Sequence, residues 1–148
     1  MISGEQTTDV AAGAPATYAV VADLERYPDW QEFLRSVTVR ERDAEGRAAL
    51  VAAEADAKVT TLRLVLRCTY EPGRRVTWRS EGGDVKSLTG AFDVQERGPD
   101  GASVTFRLDV DPGRKLGLLL RGPVADRVRD RALDGMLTDL RSRLDRPA

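Results

Sequence analysis

The stretch GGDVKSLTGAFDVQERGPDGASVTFRLDVD, residues 82–111, decides the fold. It consists of two runs in which apolar and polar residues alternate, and the turn GPDG at 98–101 separates them. An apolar residue at every second position predicts two antiparallel strands, each with one face toward a core. The residues predicted to face that core are Leu88, Gly90, Phe92 and Val94 on the first strand, and Val104, Phe106, Leu108 and Val110 on the second.

Turn signals continue outward from this hairpin at short intervals. DAEG (43–46), EPGR (71–74) and EGGD (81–84) each place Gly, Pro or Asp where a tight reversal needs special backbone angles. The segments between them alternate in the same way, so that Val76 and Trp78, for example, oppose Arg75 and Arg79. The middle of the chain is therefore predicted to be an antiparallel meander.

Both ends of the chain have helical patterns. Near the start, Pro15 suits the first turn of a short helix, and Pro28 prevents that helix from continuing. The C-terminal segment has an apolar stripe at spacings of three and four, formed by Val124, Val128, Met136, Leu140 and Leu144 with Leu133 and Leu137 beside them. These elements predict an α+β domain in which a curved antiparallel sheet of about seven strands wraps around a long C-terminal helix, with two short helices after the first strand.

Composition excludes several classes of function. The chain has 148 residues, one cysteine and no histidine, so the familiar zinc sites and His-activated nucleophiles are excluded, and we expect no metal or other cofactor. A net charge of -1, with both signs interleaved, argues against nucleic-acid binding. The longest apolar runs, such as LGLLL at 116–120, are far too short to span a bilayer. We therefore expect a cytoplasmic protein with no stable membrane insertion.

Two segments resemble the START-like, or SRPBCC, superfamily, which includes polyketide cyclase/dehydrase proteins, coenzyme Q-binding START-domain proteins and pollen-allergen-type lipid carriers. APATYAVVADLERYPDW (14–30) is similar to the family's opening helix, aspartate and Tyr-Pro-x-Trp turn. Residues 86–92, KSLTGAF, are similar to its Lys-x-Leu-x-Gly-x-aromatic strand. The resemblance implies a single helix-grip domain over 1–148, with a hydrophobic-ligand cavity between the concave sheet face and the C-terminal helix.

Two features of the sequence bear on that cavity, and each has two interpretations. The inner row of the segment RAALVAAEADAK (47–58) is mostly alanine, which leaves room for a ligand or lets the long helix approach closely. Gly90 lies in the middle of a strand, where it marks curvature or a bulge, or opens the cavity floor.

The candidate cavity residues are inward strand positions, one tyrosine of the first helix and three residues toward the C-terminus. They are Tyr18, Val51, Ala53, Leu66, Cys68, Tyr70, Trp78, Ser80, Leu88, Gly90, Phe92, Phe106, Leu119, Leu133 and Met136. No residue matches a catalytic motif, so none is assigned a catalytic role. The segment 115–128 is rich in leucine and interrupted by glycine and proline, which predicts either a lid over the cavity mouth or a kinked first turn of the long helix.

Three functions are compatible with these residues. The first is binding or carrying a hydrophobic small molecule, such as a lipid, an isoprenoid quinone or a polyketide-like compound. The second is a polyketide aromatase/cyclase or dehydratase, which requires a carboxylate, tyrosine or arginine inside the cavity. The third is a protein-interaction module that uses the Arg-rich C-terminal helix to bind a protein partner.

Overall fold

A computed structural model describes residues 2–145, and these residues form one sheet, three α-helices and a 3₁₀ helix. The elements, in chain order, are β1 (Ile2–Val10), α1 (Ala14–Val21), the 3₁₀ helix (Leu24–Asp29), β2 (Leu34–Arg42), β3 (Ala48–Asp56), β4 (Thr61–Glu71), β5 (Arg75–Gly83), β6 (Ser87–Glu96), β7 (Ala102–Asp111), α2 (Gly113–Leu119) and α3 (Pro123–Asp145).

The sheet has the strand order β1-β7-β6-β5-β4-β3-β2, and every neighbouring pair is antiparallel. Strands β6 and β7, which come from residues 82–111, pair without interruption from Ser87 opposite Asp111 to Glu96 opposite Ala102. The first strand of the chain then pairs with the last, because Ile2 lies opposite Val110. The predicted α+β helix-grip fold is confirmed.

Helix α3 covers the concave face of the sheet. Its buried residues follow the predicted stripe and comprise Val128, Ala132, Leu133, Met136, Leu137 and Leu140. The closest backbone approach of α3 is to β1 and β7. Gly4 of β1 permits this approach, since a Cβ atom there would lie 2.3 Å from the Leu133 Cδ1 atom. The alanine row of β3 is buried, but α3 does not make its closest approach there.

The leucine-rich segment forms a separate helix, α2, rather than a kinked first turn of α3. Helix α2 ends at Leu119, the chain turns at Gly122, which has a positive φ of 60°, and Pro123 begins α3. Leu120 is buried with 3% exposure, whereas Leu118 and Leu119 are 70% and 44% exposed. Only one of the three consecutive leucines therefore contributes to the core.

Gly90 does not mark a bulge, and it does not line the cavity. The β5–β6 and β6–β7 registers are regular through Gly90, so it does not mark a bulge. Trp78 lies directly opposite it on β5, and a Cβ atom at Gly90 would come within 2.4 Å of the indole Nε1 atom. The strand lacks a side chain here because the neighbouring indole occupies the place where one would stand.

Substituting this glycine should therefore displace the indole. We expect Gly90→Ala to lower the free energy of unfolding by about 1–3 kcal/mol, the usual cost of overpacking a filled core. Gly135→Ala is the matched control, because a Cβ atom at Gly135 in α3 meets nothing within 4 Å. The control should be neutral or stabilising by up to about 1 kcal/mol, since alanine favours helix. Urea unfolding of both variants measures the difference, and equal stabilities would contradict this packing.

The leucines of α2 and its C-cap give a second stability prediction. We expect Leu120→Ser to lower the free energy of unfolding by about 2–5 kcal/mol, because it removes a buried apolar side chain. Leu118→Ser should change the free energy of unfolding by less than about 0.5 kcal/mol, as is usual for an exposed position. Thermal unfolding of the two variants in parallel checks the assignment, and a similar loss in both would show that α2 packs differently.

Candidate ligand-binding cavity

A small apolar cavity lies where the resemblance predicts one, between the inner face of the sheet, α3 and the segment 24–34. Its volume is about 40 Å³, which is room for roughly one water molecule. The residues that line it are Leu24, Tyr27, Phe33, Leu34, Leu64, Leu66, Trp78, Leu88, Phe106, Leu108, Ala132 and Met136. All twelve are aliphatic or aromatic, so the wall offers apolar contact almost everywhere.

Packed aromatic rings account for the small volume. Phe92 and Phe106 stack with ring centroids 4.7 Å apart, and Trp78 lies 5.9 Å and 6.1 Å from them. Tyr27 meets Phe92 edge-on from the other side, at 6.2 Å. These separations are typical of favourable aromatic pairs. The space between sheet and helix is therefore filled mainly by the protein's own rings.

The segment 24–34 closes the cavity on one side, and two residues organise it. Tyr27 is buried, and its hydroxyl donates a hydrogen bond to the carbonyl of Val21. The Gln31 side chain donates to the carbonyls of Tyr27 and Leu34, at 3.0 Å and 2.7 Å, and accepts the N–H of Leu34 at 2.8 Å. These bonds hold an irregular stretch of backbone in one shape against the sheet.

The cavity comes closest to solvent at Phe33 and Leu34. These two side chains are half-buried, whereas every other lining residue is buried. A ligand would therefore enter between the segment that follows the 3₁₀ helix and α3. We call residues 30–34 the entrance segment.

Five of the predicted cavity residues line the cavity, namely Leu66, Trp78, Leu88, Phe106 and Met136. All except Met136 are inward-facing strand residues, and Met136 comes from the apolar stripe of α3. The alternation of apolar residues in the strands and their spacing in the helix therefore identified the faces that point toward the cavity.

The other predicted residues lie elsewhere, for reasons that differ between them. Four are buried in the surrounding core but do not line the cavity, namely Val51, Ala53, Cys68 and Leu133. Phe92 is also buried, and it is packed behind Phe106 and Trp78. Gly90 lies beneath the Trp78 indole. Leu119 is exposed on α2.

The polar residues among the predicted set hydrogen-bond to the backbone instead of facing the cavity. Tyr70 donates its hydroxyl to the Ala48 carbonyl at 2.6 Å, and Tyr18 reaches the Arg75 carbonyl at 3.5 Å. The Ser80 hydroxyl accepts the N–H of Leu88 at 2.9 Å. These bonds satisfy polar groups at the edge of the core, and they leave the cavity without a hydroxyl from any of the three.

Seven lining residues were not predicted, and four of them come from the segment 24–34. The seven are Leu24, Tyr27, Phe33, Leu34, Leu64, Leu108 and Ala132. Leu64, Leu108 and Ala132 share the faces of predicted residues, so the same alternation and the same helix stripe could have identified them. The 24–34 segment has no periodicity to reveal which side chains point inward.

Two further properties of residues 2–145 concern metals and membranes. Among these residues, no three Cys, Asp or Glu side chains come together in an arrangement that could hold a metal ion. No helix in the described part of the chain is both long enough and apolar enough to cross a membrane.

Several solved structures share this fold. A START superfamily protein from Mycobacterium smegmatis superimposes with a TM-score of 0.85, is 20% identical and aligns over 97% of both chains. A protein from Thermus thermophilus gives a TM-score of 0.80, with 19% identity over 96% of both chains. The Zhui aromatase/cyclase from a Streptomyces species gives 0.69, with 19% identity over 95% of this chain and 94% of its own. At these identities the similarity establishes the fold alone.

Sequence comparison identifies the family. No curated protein is significantly similar to the chain as a whole. A family model described as polyketide cyclase / dehydrase and lipid transport matches residues 10–137, which is most of the chain. The match runs from the end of β1 through most of α3, and it therefore includes every residue that lines the cavity. The chain belongs to the polyketide cyclase/dehydrase and lipid transport family, with the START-like fold that its sequence resembles.

Proposed function

We propose that the protein binds or carries a hydrophobic small molecule in the cavity between the sheet and α3. The observation that carries this proposal is the composition of the cavity wall, whose twelve side chains are all aliphatic or aromatic. Such a wall favours an apolar molecule through burial of surface, at about 25 cal/mol for each Å² removed from water. A lipid, an isoprenoid quinone and a polyketide-like compound all meet this requirement.

The volume of the cavity adds a condition to this proposal. At about 40 Å³, the cavity is far smaller than the roughly 300–1,000 Å³ of a typical ligand site. A ligand must therefore displace side chains as it binds. The entrance segment and the rings of Trp78 and Phe106 are the groups that would move, because they separate the cavity from solvent and from the rest of the core.

The cavity wall favours binding over catalysis. A cyclase or dehydratase needs a group that transfers a proton, and Tyr27 provides the only ionisable side chain of the wall. Burial raises the pKa of Tyr27 well above its ordinary value, and its hydroxyl is already donated to the Val21 carbonyl. Arg67 of β4 does not supply such a group, because it lies on the outer sheet face and pairs there with Glu81 and Glu41.

The free thiol of Cys68 is also unsuited to chemistry. It is buried, and burial raises its pKa to about 12, although the charge of Arg67 opposes that shift. A thiol attacks as the thiolate, so Cys68 is not a nucleophile at neutral pH.

The first experiment on the proposed function is native mass spectrometry of freshly purified protein, followed by organic extraction of anything bound. A titration with the neutral fluorophore N-phenyl-1-naphthylamine then measures the affinity for an apolar molecule. We expect a stoichiometric complex in at least one of the two measurements. A clean apo mass together with no fluorescence response would overturn the proposal and favour the protein-interaction alternative.

A variant that fills the cavity tests where such a molecule binds. Ala132 lines the cavity, and its replacement by valine adds two methyl groups to a space of about 40 Å³. We expect Ala132→Val to weaken binding of the neutral dye about tenfold, because the ligand would compete with the added atoms. Ala125→Val, on the same helix but outside the cavity wall, is the control and should bind like the wild type. If the wild type and both variants bind the dye with equal affinity, the dye binds outside this cavity.

The reactivity of Cys68 tests whether the core excludes a thiol reagent. Because its raised pKa keeps the native thiol protonated, we expect it to react with dithiobis(nitrobenzoate) near pH 8 at least about 100-fold more slowly than the unfolded chain does. Because its pKa is about 12, the native rate should keep rising above pH 9, where the rate of the unfolded chain, with an ordinary thiol pKa of about 8.5, levels off. Rapid reaction of the native protein near pH 8 would show that the interior opens readily or that the thiol is activated.

A further inference from the structure

A second cleft, of different chemistry, adjoins the entrance segment. It has a volume of about 500 Å³ and is bounded by the 3₁₀ helix, the start of β2, the end of β3 and α3. We call it the mouth cleft. Its charged lining residues are Arg35, Lys58 and Arg131, which are basic, and Glu32 and Asp56, which are acidic. The lining therefore carries more positive than negative charge, although the whole chain has a net charge of -1.

Arg131 of α3 is the central residue of this cleft. Its Nη2 atom lies 3.4 Å from Oδ2 of Asp56, and its side chain is 24% exposed. Its Nε atom is buried and has no hydrogen-bond partner among residues 2–145. An unpaired N–H in such a position is rare in folded proteins and is expected to have an acceptor that is not part of the chain.

Asp56 cannot satisfy all of its basic neighbours. Its Oδ1 atom accepts the backbone N–H of Lys58 at 2.8 Å. Its Oδ2 atom is shared between Arg131 at 3.4 Å and Arg35 at 3.6 Å. The Lys58 backbone N–H, together with the nearby Arg131, Arg35 and Lys58 charges, lowers the pKa of Asp56, so that this carboxylate is ionised at neutral pH. Asp56 thus faces two guanidinium groups and a lysine, and Glu32 is the second carboxylate of the lining.

The mouth cleft and the apolar cavity meet at one residue. Leu34 lines both of them, and it belongs to the entrance segment. The backbone N–H of Asp56 also donates a hydrogen bond to the carbonyl of Phe33, at 2.8 Å, which joins the charged cleft to the same segment. A molecule that passes Leu34 into the cavity would leave its outer end beside Arg131.

We infer that the ligand is amphipathic, with an apolar body for the cavity and an anionic end, such as a carboxylate, sulfonate or phosphate, that Arg131 binds with support from Arg35 and Lys58. Arginine presents N–H groups in a planar fork that fits oxyanions. The Nε–H is one donor of that fork and has no hydrogen-bond partner in the described residues; because it is buried, an oxyanion reaches it only when neighbouring side chains move. The inference rests on the proposed function and adds the chemical class of the ligand.

Two fluorophores of nearly the same shape test the inference. N-Phenyl-1-naphthylamine is neutral, and 8-anilinonaphthalene-1-sulfonate is the same skeleton with a sulfonate group. We expect Arg131→Gln to weaken binding of the sulfonate dye about tenfold or more, the loss typical of a charge-assisted hydrogen bond, and to leave the Kd of the neutral dye unchanged. Arg129→Gln is the control, because Arg129 lies on the same helix, pairs with Asp126 and Asp130, and does not line the cleft.

A second variant keeps the test decisive if Arg131→Gln proves unstable. Lys58 is exposed and takes part in no salt bridge among residues 2–145, so Lys58→Gln should leave the fold intact. We expect Lys58→Gln to weaken binding of the sulfonate dye about threefold relative to binding of the neutral dye, because the variant removes a nearby charge but no direct hydrogen bond.

The outcomes separate this inference from the proposed function. If both dyes bind and neither variant changes the ratio of their affinities, the anionic end is not recognised here; the inference is then overturned, while the apolar cavity remains the binding site. If the wild type binds neither dye, the inference is overturned, and a clean apo mass in addition overturns the proposed function.

Discussion

The contact between the Trp78 indole and the backbone of Gly90 determines how the interior is filled. The two residues lie opposite each other on β5 and β6, and the indole occupies the position that a side chain at 90 would take. In that position the ring packs beside Phe92 and Phe106, and the three aromatic side chains occupy most of the space that the curved sheet encloses. The size of the cavity is therefore set largely by one glycine, which allows one tryptophan to lie against the sheet.

The charges of the molecule are arranged around this apolar interior. On the outer sheet face arginines pair with acidic residues on neighbouring strands, as Arg67 does with Glu81, Arg75 with Asp93 and Arg107 with Glu5. Exposed pairs of this kind add little stability, about 0–1 kcal/mol each. Glu81 is shared there between Arg67 and Arg79. In the mouth cleft Asp56 is likewise shared between two arginines, but that cleft adjoins the apolar cavity at Leu34.

The sequence predicted the regular part of the fold and much less of the cavity. In β6 and β7 the alternation identified all the inward residues except Ala102, since a strand has a fixed period and one face is buried. The same rule could not show how deep each residue lies, so Phe92, which faces inward, proved to be packed behind Phe106. Tyr70 and Ser80 reached backbone partners on other strands, and partners so distant along the chain are not visible in a local pattern.

The entrance segment shows most clearly why the remainder could not be predicted. Its shape depends on the side-chain hydrogen bonds of Gln31 rather than on a repeating pattern, and two of its residues complete the cavity wall. Within residues 2–145, the buried side-chain nitrogens without a hydrogen-bond partner are Trp30 Nε1, in this segment, and Arg131 Nε, across the mouth cleft from it. A buried donor that is left without a partner typically costs a folded protein about 1–3 kcal/mol. The hydrogen bonds of Gln31 thus stabilise this segment, whereas the unpaired nitrogens of Trp30 and Arg131 destabilise it. A ligand that satisfied Arg131 would remove part of that destabilisation as it passed Leu34, and this links recognition of the anionic end to opening of the apolar cavity.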